Sequence, residues 1–411
     1  MEGEIYRRRV SAACMAMGKK DSKSKIVNSV NKLQKMDNIQ MVDLRSQYLR
    51  IKSEVDAAIQ KVLDTTAFIQ GKDVSEFADA LSKYLDVNFV VPCANGTDAL
   101  QIAMMSLGFK PGDEVILPVH TYVATAEVIA LLGLKPVFVD VDERTFNIDV
   151  RAIEKSITSK TVAIVPVHLY GQCVDMEPLL KISSSAKIHV IEDTAQALGS
   201  DYTFTSGKKN KAGTMGTIGT TSFFPSKNLG CFGDGGALYT QDESLAKRIK
   251  MISNHGQKVK YYHDIIGVNS RLDTLQAAIL NVKIKYLGDY TQRRNAVAEY
   301  YDQALAGIEG LEIPYRATYS NHGFHQYTLK VKGVDRDAFK EYLAKEGVPS
   351  MIYYPLPLHL QQAYQQKEYG PGSFPVAESL SKAVISLPIH TEMTSSQLEF
   401  IADTVRKYFR K

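Results

Sequence analysis

Four short segments of this 411-residue chain carry residue types that could do chemistry. The first is Ala94–Leu100, where Asn95, Gly96, Thr97 and Asp98 join an apolar run to a helical pattern. Glycine lets a backbone approach a ligand closely, and the free N–H groups of a helix start attract anions. An ordinary capped helix has the same appearance. The second segment, Val190–Gln196, closes an apolar run with Glu192 and Asp193 and places Gln196 three residues on. A carboxylate buried there needs a partner, because an unpaired buried charge is costly. A protonated ring nitrogen would serve, and so would a helix-capping role for Asp193. The third is Ser222–Gly230, with Lys227 in a mostly apolar setting. Desolvation lowers a lysine pKa and favours Schiff-base chemistry, whereas a lysine beside a surface turn would do nothing. The fourth, Gly267–Asp273, sets Asn269 and Arg271 ahead of a long helical stretch. A guanidinium there suits a carboxylate or phosphate, or a helix-start ion pair.

Other chemistries lack support. The glycine run Gly230, Gly233, Gly235, Gly236 opens no evident helix, so it is not a dinucleotide fingerprint. Walker A, G-x-S-x-G and H-E-x-x-H sequences are missing. Asp140 to Asp149 lacks the glycine and terminal glutamate of a calcium loop. Cys14, Cys93, Cys173 and Cys231 are far apart and form no C-x-x-C pair. No metal site is expected, and a reducing, cytoplasmic setting fits. His322 and His325 flank an aromatic and read as packed or solvated. With 49 Lys+Arg against 45 Asp+Glu the charge is nearly balanced, which disfavours nucleic acid. No apolar run reaches the ~18 residues of a membrane span.

The elements that must position these segments follow from periodicity. Strands are expected at Phe89–Val91, Val115–Leu117, Val137–Val139, Val162–Val165 and His189–Ile191, with helices around 99–107, 122–132 and 175–184. That alternation means βαβ units and a largely parallel sheet. Two further strands, around Thr220–Phe224 and Ala237–Thr240, suggest a hairpin-like region. One long helix is expected at 44–63 and another at 272–306. Strand 324–331, helix 336–346, strand 351–354 and a last helix Ser395–Phe409 make a smaller α+β unit. The expected division is a basic tail over 1–40, a large domain over 41–285 and a small one over 286–411. The tail holds nine Lys+Arg against four acids and reads as disordered.

In this order, the segments resemble the sugar aminotransferases, the nucleotide-sugar branch of the fold-type-I pyridoxal-phosphate (PLP) enzymes. The resemblance rests on Asp43-Leu44 with Gln47, Gly96–Leu100, Thr121–Thr125, Glu192-Asp193 with Gln196, Ser222 with Lys227, and Asn269 with Arg271. It implies an α/β fold with a large, mostly parallel α/β/α domain and a smaller C-terminal α+β domain. It further implies PLP as cofactor, with pyridoxamine phosphate as its intermediate form. Lys227 is then the Schiff-base lysine and proton carrier, and Asp193 the partner of the pyridine nitrogen. Gln196 belongs near the ring hydroxyl, Tyr122 on the ring face, and Gly96, Thr97 and Ser222 at the phosphate. Asn269 would reach the phosphate of a neighbouring subunit, giving a homodimer with shared sites. Arg271 from that neighbour would clamp a substrate carboxylate.

Within the family, the chain is most similar to enzymes that aminate a UDP-linked 3-oxo-hexuronate for surface polysaccharide. Stretches such as Val91–Ile102, Tyr170–Cys173, Phe223–Gly236 and Asn269–Leu280 carry that impression. The implied reaction moves the amino group of L-glutamate to C3 of the sugar and releases 2-oxoglutarate. Tyr353 and Tyr354 fall in the sugar site, and Tyr353 stands where close relatives often have histidine. Amination at C4 and a PLP-binding regulatory protein are the alternatives. A related dehydratase branch carries histidine at the lysine position, so Lys227 argues against it.

Overall fold

The computed structural model describes residues 39–410. The expected tail thus lies outside the described residues, apart from its last two positions. Seven strands form the main sheet: β1 Phe89–Cys93, β2 Glu114–Pro118, β3 Lys135–Val139, β4 Thr161–Ile164, β5 His189–Asp193, β6 Ile218–Ser222 and β7 Gly236–Thr240. Their order is β1-β7-β6-β5-β4-β2-β3. β3, β2, β4, β5 and β6 pair in parallel. β7 runs antiparallel to both β6 and β1, which is the hairpin-like region of the sequence. The strands are short apolar runs because both faces of the sheet are covered. Every residue of β2 and β7 is buried.

A smaller antiparallel sheet follows: β8 Leu311–Glu312, β9 Tyr327–Val331 and β10 Val384–Leu387, in the order β8-β9-β10. β9 and β10 share a core with helices Leu287–Leu305, Arg336–Lys345 and Ser395–Phe409, centred on Tyr301, Phe339, Leu343 and Ile401. The core on one face of the main sheet also takes in Leu358, Phe374, Ala377 and Leu380 from the C-terminal third.

Four expectations are corrected. The periodic stretch 44–63 is two helices, Leu44–Arg50 and Lys52–Thr65, because Ile51 leaves helical geometry and buries itself against Ile279 and Val282. The stretch 272–306 is broken by a 3₁₀ turn at Ile284–Tyr286 between helices Thr274–Lys283 and Leu287–Leu305. β9 starts only at Tyr327, since Phe324 adopts a positive φ of 42° that ends any extended run before it. Met351–Tyr354 is not a strand. Met351 makes one bridge to Ser386 and the chain then turns away, with a cis peptide between Tyr353 and Tyr354. β10 holds the place beside β9 instead. Among the described residues, no helix is long and apolar enough to cross a membrane.

Candidate active site

The carboxyl ends of β5 and β6 and the start of helix Gly96–Leu107 surround a cavity of about 540 Å³. Open α/β sheets gather ligands at such strand ends. Gly96, Thr97, Tyr122, Asp193, Gln196, Ser222, Lys227, Tyr353 and Tyr354 all line it. Asn269 and Arg271 do not. They lie outside the cavity, Asn269 exposed, with Arg271 Nη2 donating to Asn269 Oδ1 at 2.7 Å.

One wall is a helix start pressed against a strand end. Asn95 caps the helix, its side chain accepting from the N–H of Asp98 at 2.8 Å. This leaves the N–H groups of Gly96 and Thr97 without an intrahelical acceptor. Gly96 sits so close to β6 that a Cβ there would lie 2.6 Å from the Ser222 Cβ. Gly236 on β7 makes room from the other side, where a Cβ would come within 2.4 Å of the Asn95 carbonyl. The two glycines therefore hold two free amides beside the Ser222 hydroxyl, the donor set of an anion cup.

The opposite wall ends β5. Successive strand residues face opposite sides, so Glu192 and Asp193 divide. Glu192 points away from the cavity and accepts from the N–H groups of Gly213, Met215 and Gly216. It also pairs with His168 Nε2 at 2.9 Å, both side chains being fully buried. His168 Nδ1 accepts from the Val174 N–H, so Nε2 carries the proton that Glu192 receives. Asp193 faces the cavity. Its carboxylate accepts from the Ala195 N–H at 3.0 Å and from the Thr125 hydroxyl at 3.2 Å. Burial pushes its pKa up, while the Ala195 N–H, the Lys227 charge, the Thr125 hydroxyl and His168 draw it back.

Lys227 is half-buried in the loop after β6. Burial lowers its pKa from 10.5 to about 8, against the attraction of Asp193. Gln196 is held at both ends: its Oε1 accepts from the Tyr170 N–H at 2.7 Å and its Nε2 donates to the Tyr354 hydroxyl at 2.9 Å. Tyr122 is 57% exposed at the cavity mouth, its ring 6.2 Å from that of Tyr354. The Tyr170 hydroxyl donates to the Tyr353 carbonyl and so ties down the Tyr353-Tyr354 turn.

Three further residues of this site were given no role there by the sequence, and His325, read as packed or solvated, is packed. Thr125 was visible in the Thr121–Thr125 motif, but its contact to Asp193 was not. His325 and Gln326 precede β9 and line the cavity. His325 is packed against the site, and burial first, then the nearby charges of Lys227 and Arg294, hold its pKa well below 6.5. The residues around His325 carry no signal of which wall it faces.

A family model for the DegT/DnrJ/EryC1/StrS aminotransferases matches residues 49–406. The chain belongs to this family. It is 44% identical to the UDP-2-acetamido-2-deoxy-3-oxo-D-glucuronate aminotransferase of Pseudomonas aeruginosa, covering 88% of this chain and 98% of the relative. It is 42% identical to a pleiotropic regulatory protein of Geobacillus stearothermophilus, over 91% and 99%. It is 40% identical to the UDP-N-acetyl-3-dehydro-α-D-glucosamine 3-aminotransferase of Acidithiobacillus ferrooxidans, over 90% and 97%. Among solved structures, S. venezuelae DesV in complex with a ketimine intermediate superposes with a TM-score of 0.87 at 38% identity, covering 91% of this chain and 99% of that one. Bacillus subtilis NtdA with bound pyridoxamine phosphate gives 0.81 at 33% identity, over 87% and 82%.

This sugar aminotransferase has the α/β fold of the fold-type-I enzymes, and its cofactor is PLP. The cavity fits that group by its own chemistry. It offers an anion cup for a phosphate, one amine for an aldehyde, and one buried carboxylate for a ring nitrogen.

Proposed function

We propose that this enzyme transfers the amino group of L-glutamate to C3 of a UDP-linked 3-oxo-hexuronate of the 2-acetamido-3-oxo-glucuronate type, for lipopolysaccharide or other surface polysaccharide. It acts as a cytoplasmic homodimer with shared sites. The observation that carries the reading is Lys227. An amine held near pKa 8 shares one cavity with the buried Asp193 and the Gly96–Ser222 cup.

PLP supplies an electron sink that lets an amino group leave one carbon skeleton and join another. The residues do the rest. Lys227 Nζ would be the covalent anchor and, once displaced, the base that carries the proton between the donor's α-carbon and the cofactor's C4′. Asp193 would accept a hydrogen bond from the pyridine N–H and so keep that nitrogen protonated, its carboxylate fixed by Thr125 and the Ala195 N–H. Gly96, Thr97 and Ser222 hold the phosphate. Tyr122 covers one ring face, and Gln196 sits toward the ring hydroxyl. Asn269 of the second subunit completes the phosphate site, and its Arg271 holds the carboxylate of glutamate and then of the sugar. One arginine can serve both substrates, because glutamate leaves as 2-oxoglutarate before the sugar enters.

One observation favours a second reading. Among the described residues lining the cavity, Lys227 is the only cation, since His325 is held neutral. Tyr353 brings no charge to the sugar site. A neutral 3-oxo-N-acetylhexosamine needs no such charge, whereas a uronate depends wholly on Arg271.

The test is an absorbance titration of the holoenzyme with a UDP-linked 3-amino-hexuronate, which runs the sugar half-reaction backwards, with glutamate as control. Bleaching of the yellow band by both supports the reading. Bleaching by glutamate and by the 3-amino-N-acetylhexosamine, but not by the uronate, selects the second reading.

A further inference from the structure

Three side chains lining the cavity carry a buried polar atom without a hydrogen-bond partner among the described residues. They are the Thr121 hydroxyl, His325 Nδ1 and Gln326 Oε1. Gln326 is the most constrained of the three. It is 8% exposed, lies immediately before β9, and its N–H donates to the Tyr170 carbonyl at 3.3 Å. Tyr353 also lines the cavity; burial raises its pKa and the neighbouring Gln326 side chain draws it back. With the backbone tied to Tyr170 and the side chain buried, the carboxamide oxygen is an acceptor without a donor among the described residues.

Such an acceptor costs stability unless a ligand supplies the missing donor. Carboxylates and carbonyls carry none. A hydroxyl carries one, but it can equally accept, so either orientation of the amide or the Tyr353 hydroxyl could satisfy it. An amide N–H only donates, so it meets a carboxamide oxygen in a single sense.

We propose that Gln326 is the specificity-determining residue that accepts a hydrogen bond from the N–H of an acetamido group at C2 of the sugar. This inference rests on the 3-amination reading above, because C2 is a direct neighbour of the reacting carbon. Gln326 would thus select 2-acetamido sugars over 2-hydroxy sugars, through binding and not through proton transfer.

The experiment uses the holoenzyme and two UDP-linked 3-amino sugars that differ only at C2, acetamido in one and hydroxyl in the other. The readout is the ratio of their second-order bleaching rates in the wild type and in Gln326→Leu, a near-isosteric change. A ratio cancels general damage to the fold or to the cofactor. Gln326→Leu is expected to lower the acetamido preference about tenfold to a hundredfold, the worth of one or two units of a buried hydrogen bond. An unchanged ratio overturns the proposal, and so does loss of the PLP band on substitution, which would assign the acceptor to the cofactor. If glutamate bleaches the wild type and neither sugar does, the 3-amination reading falls and this inference with it.

Discussion

At Lys227 two effects oppose each other. Burial disfavours the ammonium and takes the pKa from 10.5 to about 8, while the Asp193 carboxylate favours it. Burial wins, and about a tenth of the amine is therefore free base at pH 7, far more than an ordinary lysine offers. Capture of PLP by the apoprotein needs that free base. Its rate should climb about tenfold per pH unit below 8 and level off above. Stopped-flow absorbance reads this directly, and a rate still rising through pH 10 would contradict the depressed pKa. Lys227→Ala is expected to form no yellow band and to turn over neither substrate. Asp193→Asn tests the other pole. It keeps the shape and loses the charge, so PLP should bind while kcat falls about a hundredfold or more. An unchanged kcat would remove Asp193 from the ring nitrogen. His168 and Glu192 lie behind it as a fully buried pair, which shows how β5 can end on two acids without two charges in one pocket.

The elements owe their positions to close approach. A methyl on Gly96 would stand 2.6 Å from the Ser222 Cβ, a distance that real Cβ atoms do not keep. Gly96→Ala must push the helix start off β6 and open the cup. PLP retention, followed by dialysis and absorbance, should weaken by about tenfold or more, with the far-ultraviolet circular dichroism unchanged. Undiminished retention would mean that the phosphate is held elsewhere. The same elements show what was legible in the sequence. β2, β3, β4 and β5 stood out because a sheet covered on both faces needs unbroken apolar runs. Gly96 and Asp193 stood out because each follows or closes such a run, and Lys227 because its segment is mostly apolar, whereas Ser222 came only with the family resemblance. The break at Ile51 was hidden, since a buried isoleucine keeps helical periodicity while the backbone departs from it. Met351–Tyr354 looked like a strand by composition. Only the pairing of β9 with Val384–Leu387 shows that the place was taken. Gln326 was invisible for a related reason, because its significance lies in a missing partner and not in its type.

Asn269 and Arg271 raise the question of the whole molecule. In one chain they bond each other outside the cavity, although the motif that carries them is part of the aminotransferase pattern. Sequence could name these two residues but not place them. The exposed side chains Val259, Tyr261, Tyr262 and Ile266 lie in the segment leading to Asn269, where the proposed homodimer would have apolar groups to cover. If each cavity is completed by the partner's Arg271, the two halves of a site can come from different chains. Lys227→Ala and Arg271→Ala should each be inactive alone, for different reasons. In a mixed dimer one cavity combines both defects and the other combines neither. Unfolding and refolding an equal mixture makes half of the dimers mixed, each with one intact site in two, so about a quarter of wild-type activity should return. Recovery near zero, with mixed dimers shown by mass spectrometry of differently tagged chains, would put Arg271 in the service of its own subunit and end the shared-site reading.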